Sequence, residues 1–278
     1  MPHRVGLYIL AVLACFFLVL PSPPADAYSK RLRGLADKDI ERTVEFVVGN
    51  VLFFMFHEAG HMLISEFDLP VLGNEEDAAD SAAVLFMLEA DDKLFDGMLA
   101  DAALGWRLVA KRNGGEDDVD TSAAHRLAEQ RAYGIVCMMA GKDPKKYKKI
   151  ADEYDLPDDR RDECEGEYRK IHDSWYGLLA EHVAPDNHHT RFRIAYRKPE
   201  SGELSDTADI FRESEVLEVI QEAFATPFKL KNGIKVTAME CGEDNAYWSS
   251  EDREITVCYE LAQYYTDLFI YHLKNKEK

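Results

Sequence analysis

Positive charge is scarce in this sequence. Against 52 Asp and Glu stand 33 Lys and Arg, a net charge of −19 at pH 7 over 278 residues. Such a surface repels polyphosphates and anionic bilayers, so no nucleic acid and no membrane surface is expected among its partners. Basic or neutral peptides remain acceptable, although most of the acidic surface reads as solvated and without a part in recognition. Cysteine is also sparse. There are five, and no C-x-x-C occurs, which argues against a zinc site built from thiolates.

The N-terminal apolar run is short. Val5 to Leu20 is sixteen residues, under the roughly 20 that a membrane-spanning helix needs. Arg4 precedes it, Pro21 to Pro24 break it, and Ala25-Asp26-Ala27 is an A-x-A cleavage site. These are the parts of a signal peptide over residues 1–27, cleaved after Ala27. Cys15 lies inside the run and is in no lipobox. The expected product is an exported, soluble protein, periplasmic or extracellular, with no stable membrane insertion. Cleavage removes one base and one acid, Arg4 and Asp26, so the mature chain keeps its charge. No pro-segment of useful length lies between Ala27 and the first long helix, which argues against a self-inhibited zymogen.

After cleavage four cysteines remain: Cys137, Cys164, Cys241 and Cys258. An even count in an oxidising compartment implies two disulfides, for which three connectivities exist. Cys137–Cys164 and Cys241–Cys258 are the expected pairs, since each closes a local loop.

What the chain does contain is Phe56-His57-Glu58-Ala59-Gly60-His61, an H-E-x-x-H string at the end of the apolar, proline-free stretch from Val44 to Phe56. On a helix His57 and His61 share a face, one turn apart, where two imidazoles can hold a zinc ion with Glu58 beside it as general base. Glu76 follows His61 by fifteen residues. With Ala79, Asp80 and Ala83 it has the spacing of one helix face. A Glu on a second helix, over small alanines that allow close approach, would complete a His2Glu site for one zinc per chain with an open fourth position. Asp80 is placed to accept the second ring N–H of a ligating histidine.

H-E-x-x-H followed by E-x-x-x-D resembles the gluzincin metallopeptidases, thermolysin among them. The longer string from Gly49-Asn50-Val51-Leu52 through the motif to Leu69-Pro70-Val71-Leu72-Gly73 and Glu75-Glu76-Asp77-Ala78-Ala79-Asp80 resembles a narrower group, the bacterial secreted "putative metallopeptidase" family of unknown function. The later order Gln130-Arg131, Cys137, Gly141-Lys142-Asp143-Pro144, Arg160-Arg161, Cys164, Trp175 is similar to it too, and implies Cys137–Cys164 as a clamp between two helices. So is the pattern Cys241-Gly242, Asn245-Ala246, Cys258-Tyr259-Glu260, with Tyr247-Trp248 where the family has Phe-Tyr.

Periodicity predicts helices over Asp39–Glu66, Glu75–Glu89, Phe95–Asn113, Ala123–Ala140, Asp158–Glu181 and Ser214–Phe224, and a last one from Tyr259 to about His272. Asp37 or Asp39 is the expected cap of the first. Alternation predicts strands at Phe192–Tyr196, Ile234–Met239 and Glu254–Cys258, with Cys241 and Cys258 near the two ends of a hairpin or meander. The expected class is α+β, mainly α-helical, zincin-like around the motif, with a small antiparallel C-terminal sheet. A helical lobe (39–185) and an α/β lobe (190–278) would flank a cleft.

These features predict a secreted zinc metallopeptidase that hydrolyses peptide bonds in a peptide or protein substrate through a zinc-activated water, with Glu58 as general base. Candidate oxyanion donors are Tyr247, Tyr259, His188 and His189. Two other readings stand beside this one: a secreted binding or structural protein stapled by its metal, and a zinc amidase acting on cell-wall peptides. Glu58 argues against the staple, which has no need of a base beside an open coordination position.

Overall fold

The computed structural model describes residues 31–112 and 124–276. The expected signal peptide and residues 113–123, an acidic, glycine-containing stretch, lie outside the described residues.

Helix α1, Asp37–Phe67, is the centre of the molecule. Its mean hydropathy of 1.4 over the most apolar stretch would suit a membrane span, but 89% of that stretch is buried inside the fold. It is a core helix, apolar on nearly all sides and covered on nearly all sides. Ala36 is the N-cap and no side chain caps it, so Asp37 and Asp39 fall in the first turn, where they suit the helix dipole. Asp68 ends the helix in the left-handed conformation, with φ at 51°. Pro70 follows in the loop, and Gly73 turns the chain at φ 115°.

Asn74 then caps α2, Glu75–Glu89, by accepting from the Glu76 N–H at 3.1 Å. This helix has the predicted bounds. It packs closely on α1 because the residues between them are small: a Cβ on Gly60 would lie 3.1 Å from the Ala79 Cα and 3.2 Å from the Ala82 Cβ.

Helices α3 (Lys93–Arg112), α4 (Ala128–Lys142), α5 (Lys148–Glu153) and α6 (Asp158–Leu179) complete the helical part. A short 3-10 turn, Ala180–His182, follows α6. The fourth helix starts five residues later than periodicity suggests, so His125 sits in its non-helical lead-in. Cys137 and Cys164 are bonded, with Cα atoms 5.2 Å apart, and clamp α4 to α6.

The expected helix over 214–224 is two helices, α7 (Ser205–Glu213) and α8 (Glu218–Ala225). Glu215, with φ at 50°, breaks the run between them. This changes the sheet. The strands β1 (Arg193–Tyr196), β2 (Lys235–Met239), β3 (Ala246–Ser249) and β4 (Glu254–Cys258) lie in the order β1-β2-β4-β3. Only β3 and β4 pair antiparallel; β1–β2 and β2–β4 are parallel. The expectation of an antiparallel sheet is therefore corrected to a mixed one. Alternation marks strands but not their direction. The α7–α8 crossover supplies the long connection that a parallel β1–β2 pair requires. Between β2 and β4 the chain passes through β3, which lies beyond β4 at the sheet edge. Cys241 and Cys258 are bonded at the ends of β2 and β4, with Cα atoms 5.5 Å apart.

Helix α9, Tyr259–Lys276, returns across α1. One hydrophobic core joins both parts of the chain. Phe56 of α1, for example, meets Phe95 at 6.0 Å and Phe224 at 5.7 Å between ring centroids. The protein is mainly α-helical with a small C-terminal sheet, as the patterning predicts.

Candidate metal centre

His57 and His61 leave α1 on the face that meets α2. Their Nε2 atoms are 3.2 Å apart. Glu76 Oε2 lies 3.1 Å from the first and 3.3 Å from the second. Four-coordinate zinc with bonds of about 2.0–2.1 Å needs ligand atoms about 3.3–3.4 Å apart. The trio is thus spaced as a tetrahedral ion would require, and two imidazoles with one carboxylate are a donor set that zinc accepts.

The outer nitrogens are also engaged. His57 Nδ1 donates to Asp80 Oδ1 at 2.8 Å, and His61 Nδ1 donates to Glu75 Oε1 at 2.7 Å. With Nδ1–H of each ring held by its outer carboxylate, both Nε2 atoms face Glu76 and are the positions that a metal would take in place of a proton. Asp80 is thus brought to the outer nitrogen of His57. Glu75 was not expected; its signal in the sequence was its place just before Glu76 in the first turn of α2.

The electrostatics favour a cation here. Burial works against a charged His57, but the hydrogen bonds to Asp80 and Glu76 and the surrounding carboxylates overcome it and raise its pKa to about 9. The same His57 contact, outweighing partial burial, lowers Glu76 to about 2. Asp80 is pushed up by burial and pulled further down by His57 and Arg131, so its net shift is downward.

Glu58 is buried beside the trio, 7% exposed. Burial pushes its pKa above the ordinary carboxylate value, against the pull of His57, His61 and the Trp248 backbone N–H. That last contact brings β3, the edge strand, up to the motif helix. A buried carboxylate of raised proton affinity beside a metal trio is suited to accept a proton from water.

His125 is the residue that sequence reasoning passed over. Its Nε2 is 2.8 Å from Glu76 Oε2, and its ring lies 5.8 Å from that of His57. Read as part of α4, it had no reason to face the site. The lead-in and first turn of α4 run beside the cap and first turns of α2 and pair with them repeatedly: Asn74 Nδ2 donates to the Ala124 carbonyl, Arg126 meets Asp77 at 2.7 Å, and Arg131 Nε donates to Asp80 Oδ2 at 2.7 Å.

The expected oxyanion donors are placed elsewhere or differently. The Tyr259 hydroxyl donates to the Arg197 carbonyl at 2.8 Å, and its ring is fully buried. His188 pairs with Thr190 Oγ1 at 2.9 Å, and His189 is exposed on the turn before β1. Tyr247 is exposed on β3, next to Trp248. None of the four joins the hydrogen-bonded cluster around Glu76, which His125 does.

A second trio, Cys241, Cys258 and Glu260, is ligand-like only in proximity. The two sulfurs are bonded to each other, and Glu260 accepts from the Cys241 and Gly242 amides. A cavity of about 890 Å³ lies between the 69–74 loop, α2, α4 and α6, with Asp80 and Arg131 in its wall and the three metal-binding candidates outside its lining.

The two disulfides fit an oxidising compartment outside the cytoplasm. No curated protein and no solved structure matches the chain. Residues 18–179 and 196–278 match a family described as "Putative metallopeptidase". That match covers most of the chain, and a donor trio able to hold a metal stands inside it: the protein belongs to the putative metallopeptidase family.

Proposed function

We propose that this protein is a secreted, zinc-dependent peptidase of the periplasm or the extracellular space, with its active centre at His57, Glu58, His61, Glu76 and His125. The observation that carries the reading is the 3.1–3.3 Å spacing of the His57, His61 and Glu76 ligand atoms with a buried carboxylate, Glu58, beside them.

His57, His61 and Glu76 would hold the metal. When bound, zinc supplies Lewis acidity and makes water a usable nucleophile near neutral pH. Glu58 would accept a proton from the attacking water and deliver it to the leaving amine. His125 Nε2, 2.8 Å from Glu76 Oε2, is a side-chain donor at the edge of the trio and would stabilise the negative charge that develops on the carbonyl oxygen. The outer edge of β3 can pair with an extended substrate backbone, which suits a peptide or protein chain. Glu58 at this position favours hydrolysis over a purely structural metal.

The test is metal content by mass spectrometry together with cleavage of a peptide library that includes cell-wall peptides. About one zinc per chain, with cleavage abolished in Glu58→Gln while the zinc stays, is the expected result. A protein that takes up zinc yet cleaves nothing in the library would sink the peptidase reading and leave a metal-stapled protein. Cleavage restricted to cell-wall peptides would identify an amidase of that class.

A further inference from the structure

We propose that Arg131 is a positioning residue of the metal centre, acting through Asp80 to hold His57 in the orientation and tautomer that accept a metal. The inference rests on the metal-centre reading and not on peptidase activity.

Asp80 Oδ1 accepts from His57 Nδ1 at 2.8 Å. A single hydrogen bond leaves a carboxylate free to rotate about its own axis. Arg131 removes that freedom: Nε donates to Oδ2 at 2.7 Å, and Nη2 donates to Oδ1, the oxygen that also serves His57. A planar two-pronged contact sets the plane of the carboxylate as well as its distance. The far face of the guanidinium lies on Trp106, with Cζ 3.6 Å from the ring centroid. The Arg131 side chain is 4% exposed, so the clamp has little room to move.

The two ligand histidines are supported unequally. His57 is 2% exposed and rests on Asp80, which is itself gripped by Arg131. His61 is 15% exposed at its side chain and rests on Glu75, whose side chain is half exposed. The His57 half of the site is the pre-organised half. Arg131 also offsets the Asp80 charge, so that His57 meets a neutralised pair and not a bare buried carboxylate.

The experiment measures Zn2+ affinity by competition with a chromophoric chelator, using wild type, Arg131→Met, Arg131→Lys, Asp80→Asn and the double variant Arg131→Met/Asp80→Asn. Met keeps the apolar bulk against Trp106 and removes both donors. The expected result is about a tenfold or greater loss of affinity in Arg131→Met and in Asp80→Asn. Lys, with one donor nitrogen in place of the two of the guanidinium fork, should restore part of it. The double variant should be no more than about twofold worse than the weaker single variant, because both changes cut one chain of contacts. A merely structural arginine would give losses that multiply, and that result overturns the proposal. So does wild-type affinity in Arg131→Met. If Arg131→Met does not fold, Arg131→Lys carries the test, and wild-type affinity in that variant overturns it. A wild-type protein that binds no Zn2+ at all would overturn the metal-centre reading and this inference with it.

Discussion

Arg253, in the turn between β3 and β4, grips Glu66 near the end of α1: Nε and Nη2 donate to the two carboxylate oxygens at 2.6 and 2.7 Å. Its remaining donors reach the Asn232 and Lys231 carbonyls at 3.0 Å. The turn that follows the edge strand is thereby tied to the end of the motif helix, and the strand itself meets Glu58 through the Trp248 amide.

Arg253→Ala should therefore loosen β3 as well as destabilise the fold. Losing charge-assisted hydrogen bonds to a carboxylate whose side chain is 8% exposed should cost about 2 kcal/mol, roughly 4–8 °C in melting temperature. Hydrogen exchange should speed up at Ala246–Ser249 more than at α4. Uniform protection would show that the ion pair does not hold the strand.

Gly60→Val should separate α1 from α2. The added atoms meet Ala79 and Ala82, including a backbone Cα that cannot step aside. The expected cost is about 1–3 kcal/mol from overpacking. Zinc affinity should also fall at least tenfold, because Glu76 reaches the histidines only through this close approach. Calorimetry and chelator competition on one sample would separate the two effects.

His125→Ala should leave zinc content near wild type, since the His57, His61 and Glu76 trio is complete without it. Under the peptidase reading kcat should drop by about 10²–10³, with little change in KM. Loss of the metal instead would make His125 a ligand and the centre a closed one.

The metal-free protein should show a pH signature of His57 and Glu76. His57 is raised from 6.5 to about 9, so its contribution to stability is full below pH 6.5 and is lost as pH climbs through 9. Glu76 is lowered from 4.5 to about 2, so its contribution is full above pH 4.5 and is lost as pH falls toward 2. The difference in melting temperature between wild type and His57→Gln should be largest below pH 6.5 and shrink by pH 9. Zinc binding, which must displace the His57 proton, should release protons and tighten with rising pH over the same window. A melting difference that stays flat from pH 6 to 9 would contradict the raised pKa.

Each disulfide should stabilise the fold by about 3 kcal/mol, from closing loops of 27 and 17 residues in the unfolded chain. Cys137→Ala/Cys164→Ala should lower the melting temperature and leave zinc affinity within a few-fold of wild type. A large loss of affinity would mean that the α4–α6 clamp also holds Arg131 in place.

Much of this centre was legible in the residues. His57 and His61 are one turn apart on a helix, so their meeting is a property of local geometry and needs no tertiary information. Glu76 and Asp80 were legible for the same reason on α2, with the alanines beneath them as the sign of a close helix pair. The bounds of α2 were readable because Gly73 and Asn74 mark its start by their own chemistry. His125, Glu75 and Arg131 were harder. His125 sits outside any periodic element, and the value of Arg131 lies in a carboxylate 51 residues away.

The sequence by itself determined the helical class, the pairing of His57 and His61 on one helix face, the carboxylates Glu58 and Glu76 as candidates beside them, and the two local disulfides, because turn spacing, apolar periodicity and short loop closure all act over a few tens of residues at most. Tertiary structure alone decided the rest. It set the parallel pairing of β1, β2 and β4, the arrival of β3 at Glu58, the delivery of His125 to Glu76, and the clamp from Arg131 through Asp80 to His57. These depend on how a shared apolar core and two polar seams orient elements far apart in the chain, and no local pattern encodes that orientation.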